Sequence, residues 1–180
     1  EANSHKHLKK YYQNNIALWP HNLTLTRLVS RSLSRKDNTF IQLSGDSRNF
    51  WWPGLLIPLC LHNNNIVLIL SERQCQRLFE VELPRLRSSQ LGFDYVEGIE
   101  LTPSDKKIWV LRYQDLIFAN EKDLLKNRQL IFPEFEFMSS EIRESMSIKI
   151  TPKDWKDLIA AHSKYEASIL EVHERLSRSL

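Results

Sequence analysis

The sequence predicts an α/β fold in which a mostly parallel sheet is covered by helices on both faces. Two observations lead to this fold class. First, segments of strand length alternate with segments of helical periodicity along most of the chain, which is typical of parallel strands joined by helical crossovers. Second, Ile66-Val67-Leu68-Ile69-Leu70 is an unbroken apolar run, the pattern of a strand that is buried on both faces. A chain of 180 residues, 42% of them hydrophobic, is long enough for one domain of this kind with a full core.

The elements follow from periodicity and from their end signals. Leucines and Val29 recur at helical spacing after Thr24, the predicted N-cap, and Ser71 is the predicted N-cap of a later helix. Pro58 is expected to kink or shorten the helix that contains it. The predicted elements are, in order, helix 23–35, strand 39–43, helix 53–62, strand 66–70, helix 71–86, strands 94–100 and 107–111, helix 115–127, strand 129–132 and helix 139–147.

The last part of the chain reads as helical. Thr151-Pro152 predicts a helix start, and an apolar stripe marks a second helical stretch that we expect to pack on the sheet of the same chain. The stripe consists of Tyr165, Ile169, Val172 and Leu176. The alternative is that the 180 residues are a piece of a longer chain. We therefore expect a basic segment at 1–22, an α/β domain at 23–150 and a helical extension at 151–180.

The charge is unevenly distributed. Residues 1–36 carry seven cations and one acid, Glu1, for a net charge of +6, so the rest of a chain with net charge +3 carries −3. Candidate phosphate contacts are Lys9, Lys10, Arg27, Arg31 and Arg35, the last three spaced every four residues on one helix. The alternative is an ordinary solvated cationic face. The aromatic residues Tyr11, Tyr12, Trp19, Trp51 and Trp52 would stack on bases if exposed, and otherwise belong to the core.

Several classes of protein are excluded by what the sequence contains. Two cysteines, Cys60 and Cys75, cannot supply a zinc or iron–sulfur site with four thiolates, and the histidines have no metal-ligand spacing, so we expect neither zinc nor an iron–sulfur cluster. No apolar run approaches the about 20 residues of a membrane span, and no signal peptide is recognisable. We expect a cytoplasmic protein with reduced cysteines that does not bind membranes.

Two loops after predicted strands hold the candidate chemistry, because ligands of parallel sheets bind at the carboxyl ends of strands. The loop after Leu43 contains Gly45, Asp46, Ser47, Arg48 and Asn49, which are the candidate nucleotide contacts. It offers only one cation and one glycine before Phe50-Trp51-Trp52. The loop after Phe132 contains Glu134 and Glu136. Either carboxylate could hold a magnesium-bound water and activate the attacking water; Glu134 is the candidate catalytic residue, and a pair of solvated acids is the alternative.

The order of segments resembles the first RecA-like half of superfamily 2 DNA helicases. The segments are PHNLTLTRLVSRSLSRKDNTFIQLSG, LLIPLCL, IVLILSERQCQRLFEVELPRL, LIFPEFEF and ITPKDWKDLI. The nearest likeness is to the DinG/XPD-like branch and its divergent cyanobacterial members. The resemblance implies a P-loop NTPase fold, ATP and Mg²⁺ as cofactors, DNA as partner, single-stranded in preference, and a second helicase domain or partner protein. The Lys-Thr pair of the family falls on Trp51-Trp52, Glu134 keeps the acid of the DEAH-type box, and Pro133 replaces its Asp.

Three functions remain open at this point. The first is a helicase domain that lacks ATPase activity on its own. The second is a nucleic-acid-binding or scaffolding module that has lost the ability to bind ATP. The third is a small α/β domain for protein interaction. Binding of Mg·ATP distinguishes the first from the others, and loss of the Walker lysine weighs against it because that loss removes charge-assisted contacts to phosphate. Salt-dependent binding of a single strand distinguishes the second from the third.

Overall fold

A computed structural model gives the structure of the chain. It describes residues 2–13, 19–43, 50–62, 65–100, 107–121 and 123–178. The chain divides into two compact units, Glu1–Ser145 and Met146–Leu180. Each unit is considered separately below.

The first unit is built on a parallel sheet. In the described residues the sheet has four strands, and their order across it is β2-β3-β1-β4. All three strand pairs are parallel, which confirms the predicted α/β class with a parallel sheet. The strands are β1 (Ile66–Leu70), β2 (Tyr95–Glu97), β3 (Ile108–Arg112) and β4 (Gln129–Ile131).

Helices lie between and around these strands. In β1, all five residues are buried, as the apolar run predicts. Ser71 is the N-cap of the helix after β1: its side chain accepts a hydrogen bond from the backbone N–H of Gln74, and the side-chain oxygen of Gln74 accepts one from the N–H of Ser71. The helices of the first unit are α1 (Ala2–Gln13), α2 (Asn22–Arg35), α3 (Trp52–His62), α4 (Glu72–Arg77), α5 (Leu83–Ser88), α6 (Tyr113–Glu121) and α7 (Met138–Ser145), with a π-helical turn at Leu78–Glu82 and a 3-10 turn at Phe135–Phe137.

Both faces of the sheet are covered, as predicted. Alternate residues of a strand point to opposite faces. Ile66, Leu68 and Leu70 of β1 join the larger core with residues of α1 to α5. Val67 and Ile69 join a smaller core on the other face with Trp109 of β3, α6 and α7.

The structure corrects details of the predicted elements. Residues 39–43 form no strand, so the strand expected before the candidate nucleotide loop is absent from this described segment. Thr24 is not an N-cap, because α2 already begins at Asn22 with His21 in the N-cap position. The helix predicted at 115–127 begins at Tyr113 and ends at Glu121. Helix α3 runs past Pro58 to His62.

The second unit contains two helices, α8 (Pro152–Ala161) and α9 (Glu166–Arg178), which are joined by a 3-10 turn at Ser163–Tyr165. Thr151 caps α8 as predicted, with Asp154 as the reciprocal partner. Of the predicted apolar stripe, Ile169, Val172 and Leu176 lie on α9, and Tyr165 ends the 3-10 turn before it. That this stripe packs on the sheet stays a prediction. None of the helices in the described ranges is both long and apolar enough to span a membrane.

Candidate nucleic-acid interface

Helix α2 presents its arginines to solvent because its apolar residues fix its other side. Leu25, Val29 and Leu33 recur at helical spacing and are buried in the larger core. The helix ends at Lys36, whose left-handed backbone lets its N–H bond to the carbonyl groups of Leu33 and Ser32. The side of α2 that faces away from the core is therefore free to carry polar residues.

Arg27, Arg31 and Arg35 occupy that side, and all three are exposed. Among the residues that the structure describes, none of the three forms an ion pair with an acidic side chain. The sequence also has no Asp or Glu between Ala2 and Lys36. Successive arginines are separated by four residues, a rise of about 6 Å along the helix axis. We call Arg27, Arg31 and Arg35 the arginine stripe.

A shallow groove lies between α1 and the start of α2. Its volume is about 390 Å³. Leu23 lines the groove and precedes Arg27 by one helical turn, and Lys9 of α1 also lines it. The other lining residues are His5, Leu8, Tyr12, Trp19 and Pro20. Lys9 therefore faces the same groove as the first turn of the helix that carries the stripe.

Lys10 has a different environment from Lys9. It is half-buried, and its ammonium group donates a hydrogen bond to the side-chain oxygen of Gln90 at 3.0 Å. This contact ties α1 to the turn that follows α5. Lys10 is therefore held against the protein, whereas Lys9 is exposed. Burial, and then the charges of Lys10 and Lys6, lower the pKa of His7 on the same helix.

Asn22 fixes the arginine helix against its neighbours. Its Oδ1 accepts a hydrogen bond from the N–H of Gly54 on α3 at 3.0 Å, and its Nδ2 donates to the carbonyl of Phe50 at 2.8 Å and to the hydroxyl of Tyr12 on α1. Asn22 is almost fully buried, so these bonds are shielded from water. One side chain therefore joins α1, α2 and α3.

A second buried polar contact joins α1 to the π-helical turn. Glu82 is 1% exposed, accepts a hydrogen bond from the Tyr11 hydroxyl at 3.0 Å and pairs with Arg77 at 2.9 Å. Burial raises the pKa of Tyr11, and the charge of Glu82 adds to the effect. Sequence reasoning missed Glu82. An acid within an otherwise amphipathic helix gives no local sign of burial, and Tyr11 lies 71 residues away.

The aromatic residues predicted as base-stacking candidates are mostly in the core. Tyr11, Trp19, Trp51 and Trp52 are buried, and Tyr12 is half-buried. Trp51 and Trp52 stack on each other with ring centroids 4.5 Å apart. These residues contribute to packing, which was the alternative interpretation.

Phe40, which sequence reasoning did not single out, is the most exposed aromatic residue in the described part of the first unit. Its side chain is 79% exposed, in the segment that follows α2. The predicted strand at 39–43 had assigned it to a sheet. The available sign was that Ile41 and Leu43 alternate with Gln42, because this places Phe40 on the side of the polar Gln42.

The residues of the candidate nucleotide loop, Gly45, Asp46, Ser47, Arg48 and Asn49, lie outside the described residues. The described flanks differ from those of a Walker-type site. No strand precedes the loop at 39–43. Trp51 and Trp52, on which the resemblance places the lysine and the hydroxyl ligand, are buried in the core.

The carboxyl ends of the strands are joined by polar contacts. Arg112, at the end of β3, pairs with Glu72 at 2.6 Å and with Glu97 at 3.0 Å. The carbonyl of Pro133 accepts hydrogen bonds from the side chains of Gln74 and Tyr113 at 3.3 and 3.4 Å. These contacts link the ends of all four strands.

Glu134, the candidate catalytic carboxylate, lies at this edge directly after Pro133. It has a left-handed backbone with φ of 55°. Burial of its carboxyl group and the nearby charge of Glu136 raise its pKa, while Arg73 and Gln74 oppose the shift. Burial, and then Glu141, Glu134 and Glu136, raise the pKa of Tyr113 to about 12. In the described part of the chain, no group of three His, Cys, Asp or Glu side chains is arranged to hold a metal ion.

Comparisons of the chain with models of protein families, with curated proteins and with solved structures found no match.

Proposed function

We propose that this chain binds a strand of nucleic acid, single-stranded DNA in preference, through the arginine stripe and Lys9. The observation that carries the proposal is the set of three exposed arginines on one helix without acidic partners in the described residues. A guanidinium group forms paired hydrogen bonds with phosphate oxygens. A stripe that continues for two turns of helix suits a repeating polyanion better than a single anion.

Charge compensation elsewhere in the chain supports this choice of surface. Arg112, Arg175 and Arg178 each pair with a carboxylate, so a phosphate would have to compete with that carboxylate. The arginines of the stripe have no such competitor in the described residues. A phosphate backbone that binds these arginines displaces only water and counterions, and the release of counterions drives binding.

The parallel α/β core supports a relation to the helicase domains that the segment order resembles. We propose that the core is a RecA-like scaffold that has lost nucleotide turnover. The missing strand at 39–43 and the tryptophans in the Walker positions support the loss. A motor domain of an ATP-dependent DNA helicase, acting with a second domain or partner protein, is the second candidate. The position of Glu134 after β4, which lies beside the central strand β1, favours it.

Salt dependence of binding tests the main proposal. Anisotropy of a labelled oligothymidylate, titrated with the whole chain at several salt concentrations, gives the slope of log K against log salt. Each phosphate contact with a single strand contributes about −0.7 to that slope. Three arginines therefore contribute about −2. Lowering the salt from 1 M to about 0.1 M therefore strengthens binding about 100-fold through these three contacts.

Two triple variants of equal charge separate the stripe from general charge. We expect Arg27→Gln, Arg31→Gln and Arg35→Gln together to reduce the magnitude of the slope by about 2. The matched control, Arg87→Gln with Arg175→Gln and Arg178→Gln, changes the net charge by the same amount on other helices. It is expected to change the slope little. Equal effects of the two triple variants, or a slope near zero for the unmodified chain, would refute the proposal and favour the protein-interaction function.

Calorimetric titration with Mg·ATP tests the second candidate. We expect no heat of binding at millimolar nucleotide, because the chain has no Walker lysine. Saturable binding of Mg·ATP that Arg48→Ala weakens, and that the control variant Arg87→Ala does not change, would instead support the helicase motor. Loss of strand binding in the stripe variant does not depend on this result.

A further inference from the structure

The neighbours of Phe40 pack against the protein and leave its side chain exposed to solvent. Its side chain is 79% exposed, although its neighbour Ile41 and then Leu43 pack against the larger core. Burial alternates along this segment, because Ile41 and Leu43 are half-buried whereas Phe40 and Gln42 are exposed. Because Ile41 and Leu43 point inward, Phe40 and Gln42 point outward.

The segment is also anchored on the side nearer to α2. The hydroxyl of Ser32, in the last turn of α2, donates to the carbonyl of Asp37 at 3.2 Å and is 2.9 Å from the hydroxyl of Thr39. Phe40 therefore lies between two anchors, Thr39 and Ile41, which are its immediate neighbours. A large apolar ring is presented to solvent from a fixed backbone.

The surroundings of Phe40 are cationic. Ser32 lies on the helix turn between Arg31 and Arg35, so the contact with Thr39 brings the segment to the end of the arginine stripe. Lys36 is exposed at the same helix end. Asp37 is the one acidic residue of the sequence between Ala2 and Gly45. The ring is thus placed next to the site proposed for phosphates, with one carboxylate nearby.

We propose that Phe40 stacks on an unpaired base of the strand whose phosphates contact the arginine stripe. The inference rests on the proposed function and deepens it, because it assigns a residue and a contact to the preference for a single strand. An aromatic ring without hydrogen-bonding groups accepts the face of any base, so the contact is tolerant of sequence. In a duplex the faces of the bases are covered by their neighbours. Stacking on Phe40 therefore favours a single strand over a duplex of similar charge.

The test compares two strands that differ only in their bases. One probe is a labelled oligothymidylate, and the other is a deoxyribose-phosphate strand of the same length without bases. We expect Phe40→Ala to weaken binding of the oligothymidylate about 5- to 150-fold, the range for loss of one stacked base. Binding of the abasic strand and the slope against salt are expected to stay unchanged, because the arginines are intact.

Three further variants make the result specific. Phe40→Trp keeps an aromatic face and is expected to retain binding, whereas Phe40→Leu keeps an apolar side chain and is expected to behave as Phe40→Ala. Phe137→Ala is the matched control, because Phe137 is 55% exposed at the other end of the first unit's sequence. Removing either exposed ring should alter stability little, and circular dichroism of each variant checks this.

The outcomes distinguish the inference from the proposed function. The stacking inference is overturned if Phe40→Ala weakens binding of the oligothymidylate and of the abasic strand alike. It is also overturned if Phe40→Leu binds the oligothymidylate as tightly as the unmodified chain. Unchanged binding in Phe40→Ala, with loss in the stripe variant, overturns the inference and leaves the proposed function standing. A salt slope near zero for the unmodified chain overturns both.

Discussion

Replacing Gly54 with alanine perturbs the contact that holds the arginine helix against the core. A Cβ atom at Gly54 would lie 2.6 Å from Oδ1 of Asn22 and 2.9 and 3.1 Å from two side-chain atoms of Leu25. These distances are shorter than side-chain contacts allow. Asn22 cannot rotate away without losing its bonds to Phe50 and Tyr12. We therefore expect α2 and α3 to separate in the variant.

The size of the effect follows from three contributions. Overpacking of a tight contact costs about 1–3 kcal/mol. Weakening of the hydrogen bond from the Gly54 N–H to Asn22 adds about 1 kcal/mol. Alanine favours the helix over glycine by about 1 kcal/mol, which offsets part of this loss. The net destabilisation is about 1–3 kcal/mol, a fall in melting temperature of about 2 to 12 °C for a chain of this size.

Thermal unfolding followed by circular dichroism measures this effect, with Gly92→Ala as the matched control. A Cβ at Gly92 would meet nothing within 4 Å, so this control should be as stable as the unmodified chain or slightly more stable. The double variant Asn22→Ala with Gly54→Ala tests the mechanism, because removing Oδ1 removes the closest clash. Gly54→Ala should then cost less than in the unmodified background. The reasoning is refuted if Gly54→Ala has the same melting temperature as Gly92→Ala. It is also refuted if the effects of Asn22→Ala and Gly54→Ala on stability are additive.

Three other predictions concern titrating groups. Burial raises the pKa of Cys60 and of Cys75 to about 12, so neither thiol of the native chain should react with an aromatic disulfide reagent at pH 8, whereas both should react in denaturant. The raised pKa of Glu134 means that its ionised form destabilises the fold. Glu134→Gln should raise the unfolding free energy by a few tenths of a kcal/mol at pH 7. This gain should be lost below pH 4.5, the ordinary pKa of a glutamate, where Glu134 is protonated in the folded and unfolded chain. Denaturant titrations at each pH measure both effects. Hydrogen bonds from Thr151 lower the pKa of Asp154, so Thr151→Ala should return that pKa toward 3.8 in a carboxyl NMR titration; an unchanged value would contradict the capping contact.

The elements that could be predicted are those whose environment is local. The run Ile66–Leu70 identified a doubly covered strand because every position is apolar, and Ser71 identified a helix start because its partner Gln74 is three residues away. The segment 39–43 was mispredicted for a physical reason. Its alternation correctly places Ile41 and Leu43 inward, but a strand also needs a neighbour with free backbone groups, which alternation does not report.

The candidate site was predictable in its charges and not in its contacts. The four-residue spacing of Arg27, Arg31 and Arg35 requires only the helical period and the absence of nearby acids, both of which are visible in the sequence. The burial of Trp52 and the exposure of Phe40 depend on which surfaces meet in the fold. For the same reason, the sequence could not show that Asn22 joins three helices.

The electrostatics of the first unit explain why a polyanion is expected on α2 and not at the carboxyl edge of the sheet. At that edge, Arg112 is already compensated by Glu72 and Glu97, and the carboxyl group of Glu134 has a raised pKa partly because Glu136 is close. A phosphate arriving there would meet acids that repel it and would have to displace carboxylates from Arg112. On α2 the cations have no carboxylate to lose in the described residues, so each phosphate contact gains the full release of counterions. A strand bound along α2 therefore needs no chemistry from the edge where parallel sheets usually hold their ligands, and loss of the nucleotide site would leave strand binding intact.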